Sequence, residues 1–145
     1  MGQQQILIVI LVVIIVALGV ALAMQVFKTS YVNFEEDKYS QIMIETAEQF
    51  QVVYEKPEML GGGGRHWTNV NFDDISCTFG EKASTNGRVC RAEDRSLILV
   101  LTDHGTYLGM NGVARIGGKG LGDMYTREMK IYPDSLVFLS DWIGH

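Results

Sequence analysis

Two cysteines and three histidines are the side chains best equipped for chemistry, and their spacing narrows what they could do. Twelve residues lie between Cys77 and Cys90. Two thiols cannot build a zinc framework, and the interval is not that of a C-x-x-C redox pair. Thiol oxidation remains. If the chain that follows the apolar N-terminus is exported, the two form one disulfide, which adds roughly 3 kcal/mol by constraining the unfolded chain. The alternative is two free buried thiols. His66, His104 and His145 show no ligand spacing with each other or with cysteine. Asp73-Asp74 and Asp123 lack the alternating oxygen pattern of a calcium loop. Asp103-His104 reads as a turn pair rather than half of a catalytic dyad. No G-x-S-x-G or H-E-x-x-H motif occurs. Gly61-Gly62-Gly63-Gly64 is not followed by the lysine of a phosphate loop and reads as a flexible connector. Gly117-Gly118-Lys119-Gly120-Leu121-Gly122 fits no nucleotide loop and reads as a mobile one. The expectation is a protein that is not an enzyme, with no metal and no cofactor.

The elements around these residues are more informative. The chain carries 12 basic and 17 acidic residues, and every one lies at or beyond Lys28. A net charge of −5 without a basic block gives nucleic acid no docking surface. Ile6 to Met24 is apolar apart from Gly19. From Ile6 to Phe27 a helix rises about 33 Å, the hydrocarbon thickness of a bilayer. In water the run Val12-Val13-Ile14-Ile15-Val16 favours a strand and aggregates; in lipid a helix satisfies its own backbone. Residues 3–27 therefore need a partner, lipid or protein. A cleaved secretory signal is one reading, because Ala21-Leu22-Ala23 has the A-x-A form, but the positive n-region is missing. A plain membrane anchor is another.

The helix is predicted to continue past Phe27. No proline or glycine falls between Val20 and Lys56. Tyr39, Met43, Ala47, Phe50 and Tyr54 recur at three and four residues and make one apolar stripe for packing on a domain. Pro57 ends the run. The whole helix, Gln3 to Glu55, would be about 80 Å long. Beyond Met59 glycines and strand-like runs take over. Leu97 to Leu101 reads as a buried strand closed by Asp103-His104-Gly105. Tyr107 to Met110 and Val113 to Ile116 flank Asn111-Gly112, a strong hairpin signal. Tyr125 to Tyr132 and Leu136 to Leu139 flank the turn Pro133-Asp134-Ser135. Asn86-Gly87 marks the tip of the Cys77–Cys90 loop. The expected fold is α+β: a long N-terminal helix packed on a small antiparallel sheet of four to six strands. Residues 1–2 would be a short leader, 3–27 the hydrophobic helix, 28–57 its amphipathic continuation and 58–145 the head domain.

Gly2-Gln3-Gln4-Gln5 followed by Ile6-Leu7-Ile8-Val9-Ile10, on a helix oily all round and then oily on one side, resembles the type IV pilin superfamily. The resemblance covers residues 2–57 and lies in arrangement more than in motif; the passage Lys56-Pro57 to Gly64 is a short further likeness. It implies cleavage between Gly2 and Gln3 by a prepilin peptidase, handling by pilus assembly machinery, and residence in the inner membrane before assembly. Leu7 stands where most members carry a glutamate as the fifth mature residue. Gln3, Gln4 and Gln5 are the available substitutes, since each amide has donors and an acceptor. They would bond between subunits at the base of the helix bundle, or else lie in lipid headgroups. Gly19 would be either a small-residue helix contact or a place where the helix loosens on assembly. The functional expectation is a structural subunit, a homopolymer on the cell surface and a major pilin rather than a minor one. A pseudopilin of a secretion system, or a single-pass membrane protein with a periplasmic or extracellular partner-binding domain, is the alternative.

Overall fold

The computed structural model describes residues 2–75, 77, 79–82, 86–117 and 124–144, without the side chain of Lys82. One helix, α1, spans Gly2–Glu55. By internal contacts the chain divides into two compact units, residues 1–34 and 35–145.

The first unit consists of the apolar part of α1. Its uninterrupted run of aliphatic side chains has no proline, and the helix passes through Gly19 without a break. No large apolar side chain here is buried: Val32 is half-buried, and the others from Ile6 to Phe34 are 49% to 74% exposed. Thr29 turns its hydroxyl back onto the Gln25 carbonyl at 3.1 Å, which satisfies it within the helix.

The second unit is built on the rest of α1 and seven strands among the described residues: β1 Gly80–Lys82, β2 Val89–Ala92, β3 Leu97–Asp103, β4 Leu108–Arg115, β5 Met124–Ile131, β6 Leu136–Phe138 and β7 Ile143–Gly144. The sheet order is β1-β2-β3-β4-β5-β6 with β7 also on β5, and every pairing is antiparallel. This is the α+β class expected from the sequence, with more strands than the four to six anticipated. The strands not read from the sequence are β1, β2 and β7, of two to four residues, whose patterns are too short to read, while the two runs expected around Asn111-Gly112 form the single strand β4.

Alternation sets the buried face. Leu97, Leu99 and Leu101 of β3, Leu108, Met110 and Ala114 of β4, and Met129 and Ile131 of β5 are buried. From α1 the stripe Tyr39, Met43, Ala47, Phe50 and Val53 is buried with them. Thr46 sits in the same stripe because its hydroxyl is spent on the Ile42 carbonyl at 2.7 Å. Further polar contacts tie α1 to the sheet side: Gln51 donates to the Tyr132 carbonyl at 2.7 Å, and Trp142 Nε1 to the Ser40 hydroxyl at 3.0 Å.

Two turn expectations are corrected. Asn111-Gly112 is not a hairpin tip; it lies inside β4, paired with Val100 and Leu99 on one side and with Glu128 and Arg127 on the other. The reason is packing. A Cβ on Gly112 would stand 2.7 Å from Met43 Sδ, so glycine there serves the close approach of α1. The β3–β4 reversal falls at Asp103-His104-Gly105-Thr106-Tyr107 instead. Gly61 to Gly64 is likewise no loose connector. Gly63, Arg65 and Gly64 donate their backbone N–H groups to the carbonyls of Val53, Tyr54 and Lys56 at 2.8, 2.9 and 3.0 Å, so the run caps the end of α1. Gly61 and Gly64 take the left-handed conformation that this reversal needs. A Cβ on Gly62 would collide with the Lys56 carbonyl oxygen. Gly62→Ala is therefore expected to destabilise the head by about 1–3 kcal/mol, read as a fall in its thermal midpoint.

Candidate assembly surface

Each proposed site residue has a definite place. Gln3, Gln4 and Gln5 lie exposed in the first turn of α1, which holds no acidic side chain. The first-turn N–H groups and the positive end of the helix dipole thus meet no carboxylate from their own helix. Gly2 opens the helix beside them. Leu7 is 68% exposed, and a Cβ on Gly19 would meet nothing within 4 Å. Leu7 and Gly19 belong to one uncovered apolar surface, which the three glutamines precede. The helix that carries it is long and apolar enough to cross a membrane. An uncovered helix that is apolar from Ile6 to Met24 apart from Gly19 cannot remain in water without aggregating, so lipid or protein must cover this surface.

In the head, Tyr39, Met43, Ala47 and Phe50 are buried, and Tyr54 is half-buried. Tyr54 stacks on Trp67 with ring centroids 4.1 Å apart, while Phe50 meets Phe72 edge-on at 5.2 Å. The stripe therefore packs on the segment between α1 and β1 as well as on the sheet. Trp67 and Phe72 are partners that sequence periodicity could not supply, since they lie in irregular backbone. Cys77 and Cys90 form a disulfide with Cα atoms 6.1 Å apart. It links that same segment to β2, whose Cys90 is fully buried. Reduction, or Cys77→Ser with Cys90→Ser, is expected to lower the stability of the head by about 3 kcal/mol. Chemical denaturation with and without reductant measures it.

The residues weighed for chemistry are placed in turns and on surfaces. Asp103 accepts the Gly105 N–H at 2.7 Å and so closes the β3–β4 turn. That hydrogen bond, with the Thr68 hydroxyl adding to it, holds the carboxyl below the usual carboxylate range. His104 is exposed and stacks on Tyr107 at 4.6 Å. His66 is exposed at the start of a short 3-10 turn. Among the described residues no three histidine, cysteine, aspartate or glutamate side chains gather as a metal site would require. Gly118 to Gly122, Asp123 and His145 lie outside the described residues.

One feature of the surface escaped sequence reading. Phe27, Tyr31 and Phe34 form an exposed aromatic file at the polar end of the apolar segment. The 4-3 spacing is present in the sequence, but three aromatic residues among Lys28, Thr29, Ser30 and Asn33 make too short a pattern to mark a surface by themselves. No family model, characterised protein or solved structure matches this chain. One long apolar N-terminal helix, a small antiparallel sheet domain and a disulfide together fit a single-pass membrane protein or a filament subunit.

Proposed function

We propose that this protein is a structural subunit of an extracellular filament of the type IV pilus kind, polymerising through its N-terminal helix. The observation that carries the reading is α1 itself. The helix whose second part packs a stripe into the head exposes an uncharged, predominantly apolar surface from Ile6 to Phe27. In the cytoplasmic membrane lipid covers that surface. On assembly the helices of identical subunits replace lipid, so no apolar face passes into water. Burial of helix against helix drives the polymer, and a heterologous contact repeated without closure makes it a fibre rather than a ring. The disulfide suits a head that matures outside the cytoplasm. The reading assigns no catalytic residue and no cofactor.

A specific observation favours the second reading, a single-pass anchor bearing an extracytoplasmic partner-binding domain. Leu7 offers no carboxylate to a neighbour's N-terminal amine. In the filament reading the exposed amides of Gln3, Gln4 and Gln5 take over that role. Intact-mass measurement of the chain from sheared cell-surface material separates the two. A mature chain beginning at Gln3 supports the filament subunit. A chain retaining Met1 and found only in the membrane supports the anchor.

A further inference from the structure

The aromatic file at the end of the apolar segment carries an inference that rests on the filament reading and refines it. Phe27, Tyr31 and Phe34 are 74%, 55% and 66% exposed. Their spacing of four and three places them along one helix face, and the same rhythm runs back through Met24 and Val20. The hydrocarbon of a bilayer cannot cover the whole file. A helix that enters the hydrocarbon near Ile6 leaves it near Phe27, so Tyr31 and Phe34 stand about 6 and 10 Å further on.

Two seven-residue relations coincide here. Phe27 and Phe34 hold the same heptad position, and so do Lys28 and Glu35. Lys28 is the first charged residue of the chain, and Glu35 is the next. Two parallel helices in register would set Lys28 against Lys28 and Glu35 against Glu35, which repels. Shifting one helix by a heptad, about 10.5 Å, removes the conflict. Phe27 then lies against Phe34 of the neighbouring copy, and Lys28 beside its Glu35. Glu35 is prepared for this. Its Oε2 accepts the Gly117 N–H at 2.7 Å, which holds the carboxylate in place as a fixed negative charge.

We propose that the face from Phe27 to Phe34 docks a second copy of this chain, staggered by one heptad and locked by a Lys28–Glu35 ion pair between copies. Charge reversal tests it in full-length protein in cells. Lys28→Glu and Glu35→Lys are each expected to lower the yield of sheared filaments roughly tenfold, because like charges then meet. Lys28→Glu combined with Glu35→Lys is expected to restore assembly. Normal yield from Lys28→Glu, or failure of the double reversal to restore it while the head keeps its thermal midpoint, overturns the pairing.

Cross-linking supplies a readout independent of yield. Phe27→Cys with Phe34→Cys should give a ladder of covalent oligomers on mild oxidation of filaments. Within one chain the two positions are too far apart along the helix to bridge, given a limit of about 7 Å between Cα atoms. Absence of the ladder, the result expected if the file only seats in lipid headgroups, overturns the proposal. Wild-type cells that make no filament overturn the filament reading; filaments that form but give no ladder overturn the docking face alone.

Discussion

Val16→Asp is expected to remove the chain from both the membrane and the filament while leaving the head folded. Val16 lies at the middle of the apolar segment and is 58% exposed. A carboxylate at the centre of a spanning helix costs about 2.5–3.5 kcal/mol on insertion scales, a shift of roughly a hundredfold. In a bundle of identical helices the cost recurs at every subunit, because each copy brings the same charge. Carbonate-resistant membrane content and the yield of sheared filaments should therefore fall together. Near-UV circular dichroism of the detergent-extracted variant should keep the melting profile of the wild type, since residue 16 lies outside the compact unit that forms the head. Loss of filaments with full membrane retention would assign the segment a role in packing specificity rather than in being covered.

The second large effect concerns the head. Phe50→Ala should destabilise it by about 3–5 kcal/mol, a large share of the stability of a domain of this size. Phe50 is fully buried and meets Phe72 edge-on at 5.2 Å, so the truncation leaves a cavity where α1 joins the segment before β1. Val52, two residues further along α1, is 69% exposed. Val52→Ala should change stability by no more than about 0.5 kcal/mol. Thermal unfolding of the two variants side by side reads the amphipathic division of the helix directly. Equal effects would mean that the stripe is not what holds the head to α1.

Much of this architecture is legible in the sequence because its signals are long. The helix to Glu55 follows from an uninterrupted run closed by Pro57, and the stripe from Tyr39 to Tyr54 follows from repeated spacing. Leu97 to Leu101 is a strand because five consecutive apolar residues lead into a turn sequence. Pro133-Asp134-Ser135 makes its turn as its residues dictate, closed by the Tyr132 N–H on the Ser135 carbonyl at 2.9 Å. Where a short signal competed with a long-range contact, the contact won. Asn111-Gly112 has the local preference of a turn, yet ladder bonds on both sides and the nearness of Met43 hold it extended. Gly61 to Gly64 has the composition of a linker, yet the open carbonyls at the end of α1 recruit it as a cap.

The candidate site divides in the same way. The apolar surface and the pair of thiols are plain from residue types alone. The file from Phe27 to Phe34 is not, because three aromatic residues set among Lys28, Thr29, Ser30 and Asn33 make a pattern too short to separate from the rest of the helix. Its meaning depends on where lipid ends and where the first charges, Lys28 and Glu35, begin. What covers the first half of α1 is accordingly the question on which the functional reading turns.

Immunogold electron microscopy of sheared cell-surface material, using antibody against the head, addresses that question most directly. The account predicts thin fibres labelled along their whole length, with unlabelled cells or loss of fibres in a strain lacking the chain. Label confined to the membrane fraction, with fibres absent or unlabelled, would contradict it.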